Sequence, residues 1–100
     1  MSKPRFTRRA VNDLEEIHAY IAENNPLNAD DFIAQFLAVI EKLADSPRIG
    51  VLRNDIAPNA RVLPYKDYLI IYEAIGNDVR IDHIVHGARD LPNLPSPSDS

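Results

Sequence analysis

The chain contains no cysteine. That excludes a disulfide framework and a thiolate metal site, and it fits a protein of the reducing cytoplasm. No apolar run comes near the ~20 residues that a membrane-spanning helix needs, so no membrane partner is expected. The basic start, Met1-Ser2-Lys3-Pro4-Arg5, leads into no apolar segment of the secretory type. A surplus of positive charge is also missing, since the net charge is −4. Binding driven by nucleic-acid phosphates ordinarily calls for a basic surface. Lys3, Arg5, Arg8 and Arg9 do cluster, but the overall balance argues against direct, sequence-specific nucleic-acid binding by this chain alone. There is no internal repeat.

What remains is an ordinary globular composition, 45% hydrophobic and 26% charged. A hundred residues can hold one core, burying roughly two thirds of the surface of the unfolded chain. Residues 3–7 read as a short strand, with Pro4 suited to a strand start or an edge. Thr7 is a good N-cap. From Arg8 to Asn24 the residues Val11, Leu14, Ile17, Ile21 and Ala22 recur at helical spacing, while Asp13, Glu15, Glu16 and Glu23 fill the other face. Asn24-Asn25-Pro26 closes this helix, because a residue before proline avoids the helical region. A second helix is expected from Leu27 or Asn28 to Ala44, capped by Asn28, with Asp30 and Asp31 in its first turn. Its stripe is Phe32, Ile33, Phe36, Leu37, Ile40 and Leu43. The short connection makes the two helices an antiparallel hairpin.

Ser46-Pro47-Arg48-Ile49-Gly50 ends the second helix, and residues 51–60 read as loop. Three strands follow, Ala60 to Pro64, Tyr68 to Ala74 and Asp78 to His86. Tyr65-Lys66-Asp67 and Ile75-Gly76-Asn77-Asp78 supply the turns. The fold class is therefore α+β: a short N-terminal strand, an antiparallel helical hairpin and a three-stranded antiparallel meander. The hairpin covers one sheet face and leaves the other relatively open. Residues 1–91 form the domain, and the Pro- and Ser-rich residues 92–100 are expected to be a flexible tail.

The last strand carries the most chemistry, running Val79-Arg80-Ile81-Asp82-His83-Ile84-Val85-His86 into Gly87-Ala88-Arg89-Asp90-Leu91. His83 and His86 are three apart, so a regular strand points them to opposite faces. They do not converge on one ion, and no metal site is expected. Arg89 and Arg61 each have two readings: a bidentate donor to a partner carboxylate, or a structural pin. Tyr68 and Tyr72 share a face, with Ile70 between them. Tyr65, Tyr68 and Tyr72 either pack on the helices or offer an aromatic surface to a partner.

Several segments together resemble the ParE branch of the ParE/RelE superfamily of bacterial type II toxins. They are Ala10-Val11-Asn12-Asp13-Leu14-Glu15-Glu16-Ile17 with Tyr20-Ile21-Ala22, Asn25-Pro26, and the helix holding Ala29, Phe32 and Ile33. Leu43 to Gly50, Arg61-Val62-Leu63-Pro64-Tyr65, Tyr68 to Tyr72 and His86 to Leu91 complete the pattern. The resemblance implies a toxin held inactive by a cognate ParD-like antitoxin and acting on DNA gyrase. RelE-type relatives share the fold and cut messenger RNA on the ribosome, so the site must choose between them. RNA cleavage needs cations and a late general acid. Here Asp90 and Leu91 follow Arg89 where a Tyr, His or Lys would serve. The expectation is a protein-binding inhibitor without catalytic residues or cofactor. The alternatives are a RelE-type endonuclease and a non-toxic antitoxin-binding module. Candidate contacts for target or antitoxin are Arg61, Tyr65, Tyr72, His86 and Arg89.

Overall fold

A computed structural model describes residues 3–87. Strand β1, Pro4–Phe6, is short and begins on its proline. Thr7 then caps helix α1, Arg8–Ala22, its hydroxyl accepting from the Ala10 N–H at 3.1 Å. Helix α2 is Pro26–Asp45 and starts earlier than expected. Its cap is Asn25, whose side chain accepts from the Asn28 N–H at 3.1 Å, and Pro26 occupies the first turn. Asn28 is thus inside the helix and not its cap. Asp30 and Asp31 lie beyond the first turn.

Four strands follow: β2, Val51–Leu52; β3, Ala60–Tyr65; β4, Tyr68–Ile75; and β5, Asp78–His86. They join β1 in one five-stranded sheet of order β1-β5-β4-β3-β2. The antiparallel meander is present, but it is extended at both edges. β1 pairs parallel to β5, and β2, in a stretch expected to be loop, pairs antiparallel to β3.

Both helices cover one sheet face. Ala10 and Ile17 of α1 and Phe36, Ile40 and Leu43 of α2 pack with Tyr68, Ile70, Tyr72, Val79, Ile81 and Ile84. Each large apolar side chain so buried contributes roughly 1.5–3 kcal/mol. The opposite face is not simply open. Ala60, Val62, Ile71 and Val85 form a second buried cluster, against which Ile56 and Leu69 pack.

β5 is irregular. Ile71 faces His83, but Tyr72 faces Ile81, so one extra residue is inserted near Asp82. The bulge lets Ile81 and Ile84, three apart, both reach the helix-side core. β1 covers β5 only from Val79 to Ile81. Beyond that point α1 closes the edge. The Thr7 N–H donates to the Ile81 carbonyl at 3.0 Å, and the Thr7 hydroxyl donates to the Asp82 carbonyl at 2.9 Å. Asp13 Oδ2 accepts from the Ile84 N–H at 2.9 Å and pairs with Nδ1 of His83.

At the other side of the sheet the core reaches the loop after α2. Tyr72 is completely buried, and its hydroxyl donates to the Pro47 carbonyl and accepts from the Gly50 N–H, each at 2.8 Å. A Cβ on Gly50 would lie 2.5 Å from that hydroxyl oxygen. Arg61 adds a second clamp, with Nη1 donating to the carbonyls of Gly50 at 2.8 Å and Arg48 at 3.3 Å.

Gly50→Ala is expected to cost about 1–3 kcal/mol in urea unfolding, because the buried ring has no room to retreat. Tyr72→Phe is expected to cost about 1–3 kcal/mol, since it leaves the Gly50 N–H unsatisfied. Burial pushes the Tyr72 phenol above its ordinary 10.0, outweighing the Gly50 hydrogen bond and the Arg61 charge. The folded state therefore holds this proton more tightly than the unfolded state. The resulting stability is complete below about pH 10 and is lost as pH rises further. The loss above that pH should be shallower in Tyr72→Phe, and identical slopes would refute the assignment.

Asp13→Ala should cost about 1.5–3 kcal/mol, because a charged acceptor shared by a histidine and a backbone N–H is removed. Hydrogen exchange at the Ile84 amide should quicken while that at Ile70, in the core, follows only the global loss of stability.

Candidate functional site

Of the five side chains singled out in the sequence, the four among the described residues do not converge. Arg61 and Tyr72 lie directly opposite each other on β3 and β4. They belong to the clamp on residues 47–50 just described. Tyr72 is a core residue with no surface to offer, because its ring faces the helices and its hydroxyl is spent on backbone. This corrects its reading as a contact residue. Arg61 serves as a structural pin through its bonds to Arg48 and Gly50. Arg89 lies outside the described residues, as does the tail from 92 to 100.

Tyr65 and His86 do come near each other, at the far end of the same strands. Tyr65 is paired with Tyr68 across the β3–β4 turn, and Tyr68 is paired with His86 across β4 and β5. The turn is tight, with Lys66 in the left-handed region at φ 54°. The Gly87 N–H donates to the Asp67 carbonyl at 2.8 Å, which fastens the end of β5 to the turn. The ring of His86 meets that of Tyr68 edge-on at 5.3 Å.

α2 completes the cluster. The Phe36 and Tyr65 rings meet edge-on at 5.1 Å, and Phe32 touches both Tyr65 and Tyr68. Gln35 Oε1 accepts from the Lys66 ammonium at 3.2 Å and from the Tyr65 hydroxyl at 3.4 Å. The Lys66 ammonium also stands 5.0 Å from the centre of the Phe32 ring and 5.6 Å from that of Tyr65. Its long side chain is thereby held in place despite being exposed. Tyr65, Lys66 and His86, backed by the buried Tyr68, make an aromatic surface with one cation. Such a surface suits contact with a macromolecule, since aromatic and cationic anchors on rigid supports lose little entropy on binding.

Sequence reasoning missed Lys66, Phe32 and Gln35. The available signal was a lysine inside a turn flanked by tyrosines. Its partners became visible only once α2 was docked on the sheet.

The other polar groups are engaged elsewhere. His18, on α1, pairs with Asp30 of α2 at 2.7 Å on the surface of the hairpin. Arg80 is bound by Asp82 and Glu73 at 2.6 and 2.7 Å, which holds its guanidinium above its usual range, with the Asp82 hydrogen bond as the main cause. Arg53 is held above its usual range in the same way by Asp55, at 2.6 Å. His83 and His86 do occupy opposite faces, facing Ile71 of the outer cluster and Tyr68 of the helix-side core. Among the described residues no group of three or more His, Cys, Asp or Glu side chains is placed to hold a metal ion. Nor is any described helix long and apolar enough to cross a membrane.

The sequence profile described as "ParE toxin of type II toxin-antitoxin system, parDE" matches residues 5–91. Toxin ParE3 of Caulobacter vibrioides is 30% identical over 86 residues, covering 85% of this chain and 86% of that protein. The putative toxin Y4kP of Sinorhizobium fredii is 31% identical over 90 residues, covering 90% and 93%. A solved structure from a chromosomal ParDE system of P. aeruginosa superimposes with a TM-score of 0.74 at 20% identity, covering 86% of this chain and 96% of that one. At that identity it attests the α+β fold alone. The profile match and the two relatives, together with the helical hairpin on its meander, place this chain in the ParE toxin family of type II toxin–antitoxin systems.

Proposed function

We propose that the chain is a toxin neutralised by a cognate ParD-like antitoxin, and that it acts in the cytoplasm by binding and inhibiting DNA gyrase without chemistry of its own. Family membership over residues 5–91 carries the reading. The geometry supports a binding role in a specific way. Arg53, Arg61 and Arg80 are each spent on intramolecular carboxylates or carbonyls. A nuclease would need such cations turned toward a phosphate. The sheet end instead presents Tyr65, Lys66 and His86 over the buried Tyr68, an aromatic and cationic surface of the kind that anchors protein interfaces. Arg89, three residues after His86 in sequence, is the further candidate for this surface.

Induced expression should arrest growth, and coexpression of a ParD-like antitoxin should relieve the arrest and yield a complex that copurifies. Purified chain should inhibit supercoiling by gyrase. Lys66→Glu and Arg89→Ala should each weaken that inhibition about tenfold, the equivalent of one lost contact of ~1.4 kcal/mol, with unfolding midpoints unchanged. Cleavage of messenger RNA on ribosomes with supercoiling untouched would overturn the reading in favour of the endonuclease. Harmless expression with antitoxin binding intact would leave only the binding module.

A further inference from the structure

Among the described residues three have a positive φ: Asn59 at 64°, Lys66 at 54° and Gly76 at 61°. Glycine meets no steric penalty there, and asparagine tolerates it through its short polar side chain. Lysine has neither advantage. Lys66 and Gly76 also stand at equivalent positions. Tyr65 pairs with Tyr68 and Ile75 with Asp78, so the β3–β4 and β4–β5 connections are both two-residue hairpin loops. In each loop the first central residue has φ above zero and the second does not, which is the pattern of a type II′ turn. Such a turn favours glycine at its first central position. The remote turn, Gly76-Asn77, follows that rule. The turn at the aromatic surface, Lys66-Asp67, breaks it.

This turn is not free to relax. The Gly87 N–H donates to the Asp67 carbonyl at 2.8 Å, and the Lys66 ammonium donates to Gln35 Oε1 at 3.2 Å. Strain persists where surrounding contacts over-determine it, and it clusters at ligand clamps and switch regions. The contacts of Lys66 within the chain do not account for its presence. One hydrogen bond and a cation–π contact at an exposed site offset no more than a side chain at positive φ costs. The ammonium has more donors than Gln35 takes, and the ion pairs among the described residues leave it out. Charge selects the ligand for those donors. A nucleic-acid backbone is held by a track of cations. Here the next residue is the exposed Asp67, in a chain of net charge −4. A compact point charge of this kind suits a single carboxylate.

We infer that Lys66 occupies a glycine position because it is a recognition residue, and that its ammonium takes one Asp or Glu carboxylate of the protein target. The inference rests on the function proposed above. The turn gives up stability, and in return the charge stands at a set place at the end of the sheet, near Tyr65 and His86. Glycine at this position makes a sounder fold and a poorer binder.

Two comparisons on the full chain test this. The first, urea unfolding, reads the strain alone. Glycine is ordinarily the less stable member of a Gly/Ala pair. At position 66 the order should invert, Lys66→Ala having an unfolding constant about fivefold above that of Lys66→Gly. Both variants lose the same side-chain contacts, so the difference isolates the backbone. An alanine variant at least as stable as the glycine variant overturns the inference. The second comparison is binding to purified gyrase without DNA. The Kd should rise about tenfold in both Lys66→Gly and Lys66→Ala. Lys66→Arg, which keeps the charge, should bind more tightly than either, and Gly76→Ala should bind as the unaltered chain does. Added salt should weaken the unaltered chain more than Lys66→Gly. Unaltered affinity in Lys66→Gly overturns the inference. So does an effect that appears only with DNA present, which would mark a phosphate, or a loss confined to antitoxin binding. If the unaltered chain does not bind gyrase, that target reading fails and growth arrest judges this one. Arrest by Lys66→Gly at the unaltered level then overturns it, and loss of arrest at equal expression sustains it for another protein target. A chain that neither binds gyrase nor arrests growth overturns both.

Discussion

A buried phenol on a sheet face has to satisfy its O–H, and in this fold much else follows from how Tyr72 does so. The hydroxyl takes both a carbonyl and an N–H from the loop that leaves α2. That loop therefore cannot drift, and the chain is delivered to β3 in register, Val51 against Val62. Two residues of ladder could not hold this position alone, since isolated short strands are unstable in water. The requirement propagates to Gly50, where no side chain fits, and to Arg61, whose guanidinium takes the carbonyls that the turn leaves over. A core residue thus determines the shape of a surface edge.

The opposite edge is closed by a different device. β1 is too short to pair with all of β5, and the bulge near Asp82 leaves backbone groups without a ladder. The first helix supplies what β1 does not. Thr7 caps the helix and bonds the bulge with the same hydroxyl, while Asp13, almost two turns on, takes the next free N–H of β5. Helix start and strand edge are therefore one structure. By contrast, the exposed pairs Arg53–Asp55 and His18–Asp30 are screened by solvent and hold nothing that the core does not already hold.

The parts of this architecture that are local were legible in the sequence. Periodicity gave both helices and all three meander strands, and Thr7 announced the first cap. Asn25 shows how a correct rule can be applied to the wrong side. A residue before proline is pushed out of the helical region, which ends α1, but that is also the backbone state an N-cap needs, so Asn25-Pro26 begins α2 as well. β2 was illegible because two residues carry no periodicity and its pairing depends on Tyr72, more than twenty positions away. The bulge was illegible for the same reason, since its register is set by the Thr7 and Asp13 contacts. Parity put Tyr68 and Tyr72 on one face without choosing between the helices and a partner, and the docked helices show it to be the core face. It could not say that the hydroxyl would be consumed by backbone, and so the candidate surface lost one member. Tyr65 and His86 were named, but Lys66 gained meaning only from Phe32 and Gln35 of a docked α2.

The electrostatics of the Tyr65 end explain how an acidic chain can offer a cationic contact. A net charge of −4 would repel an acidic group if charge acted as a sum. At physiological ionic strength exposed charges are screened beyond about 8 Å. A group brought to this end of the sheet therefore meets the field of Lys66, which bonds to Gln35 and stands over the Phe32 ring. At the other end of β3 the cations are already engaged, Arg53 by Asp55 and Arg61 by the carbonyls of Arg48 and Gly50. The two ends of one strand thus differ in what their charges are used for: at one end they hold the chain to itself, and at the other a cation is left facing solvent on an aromatic support.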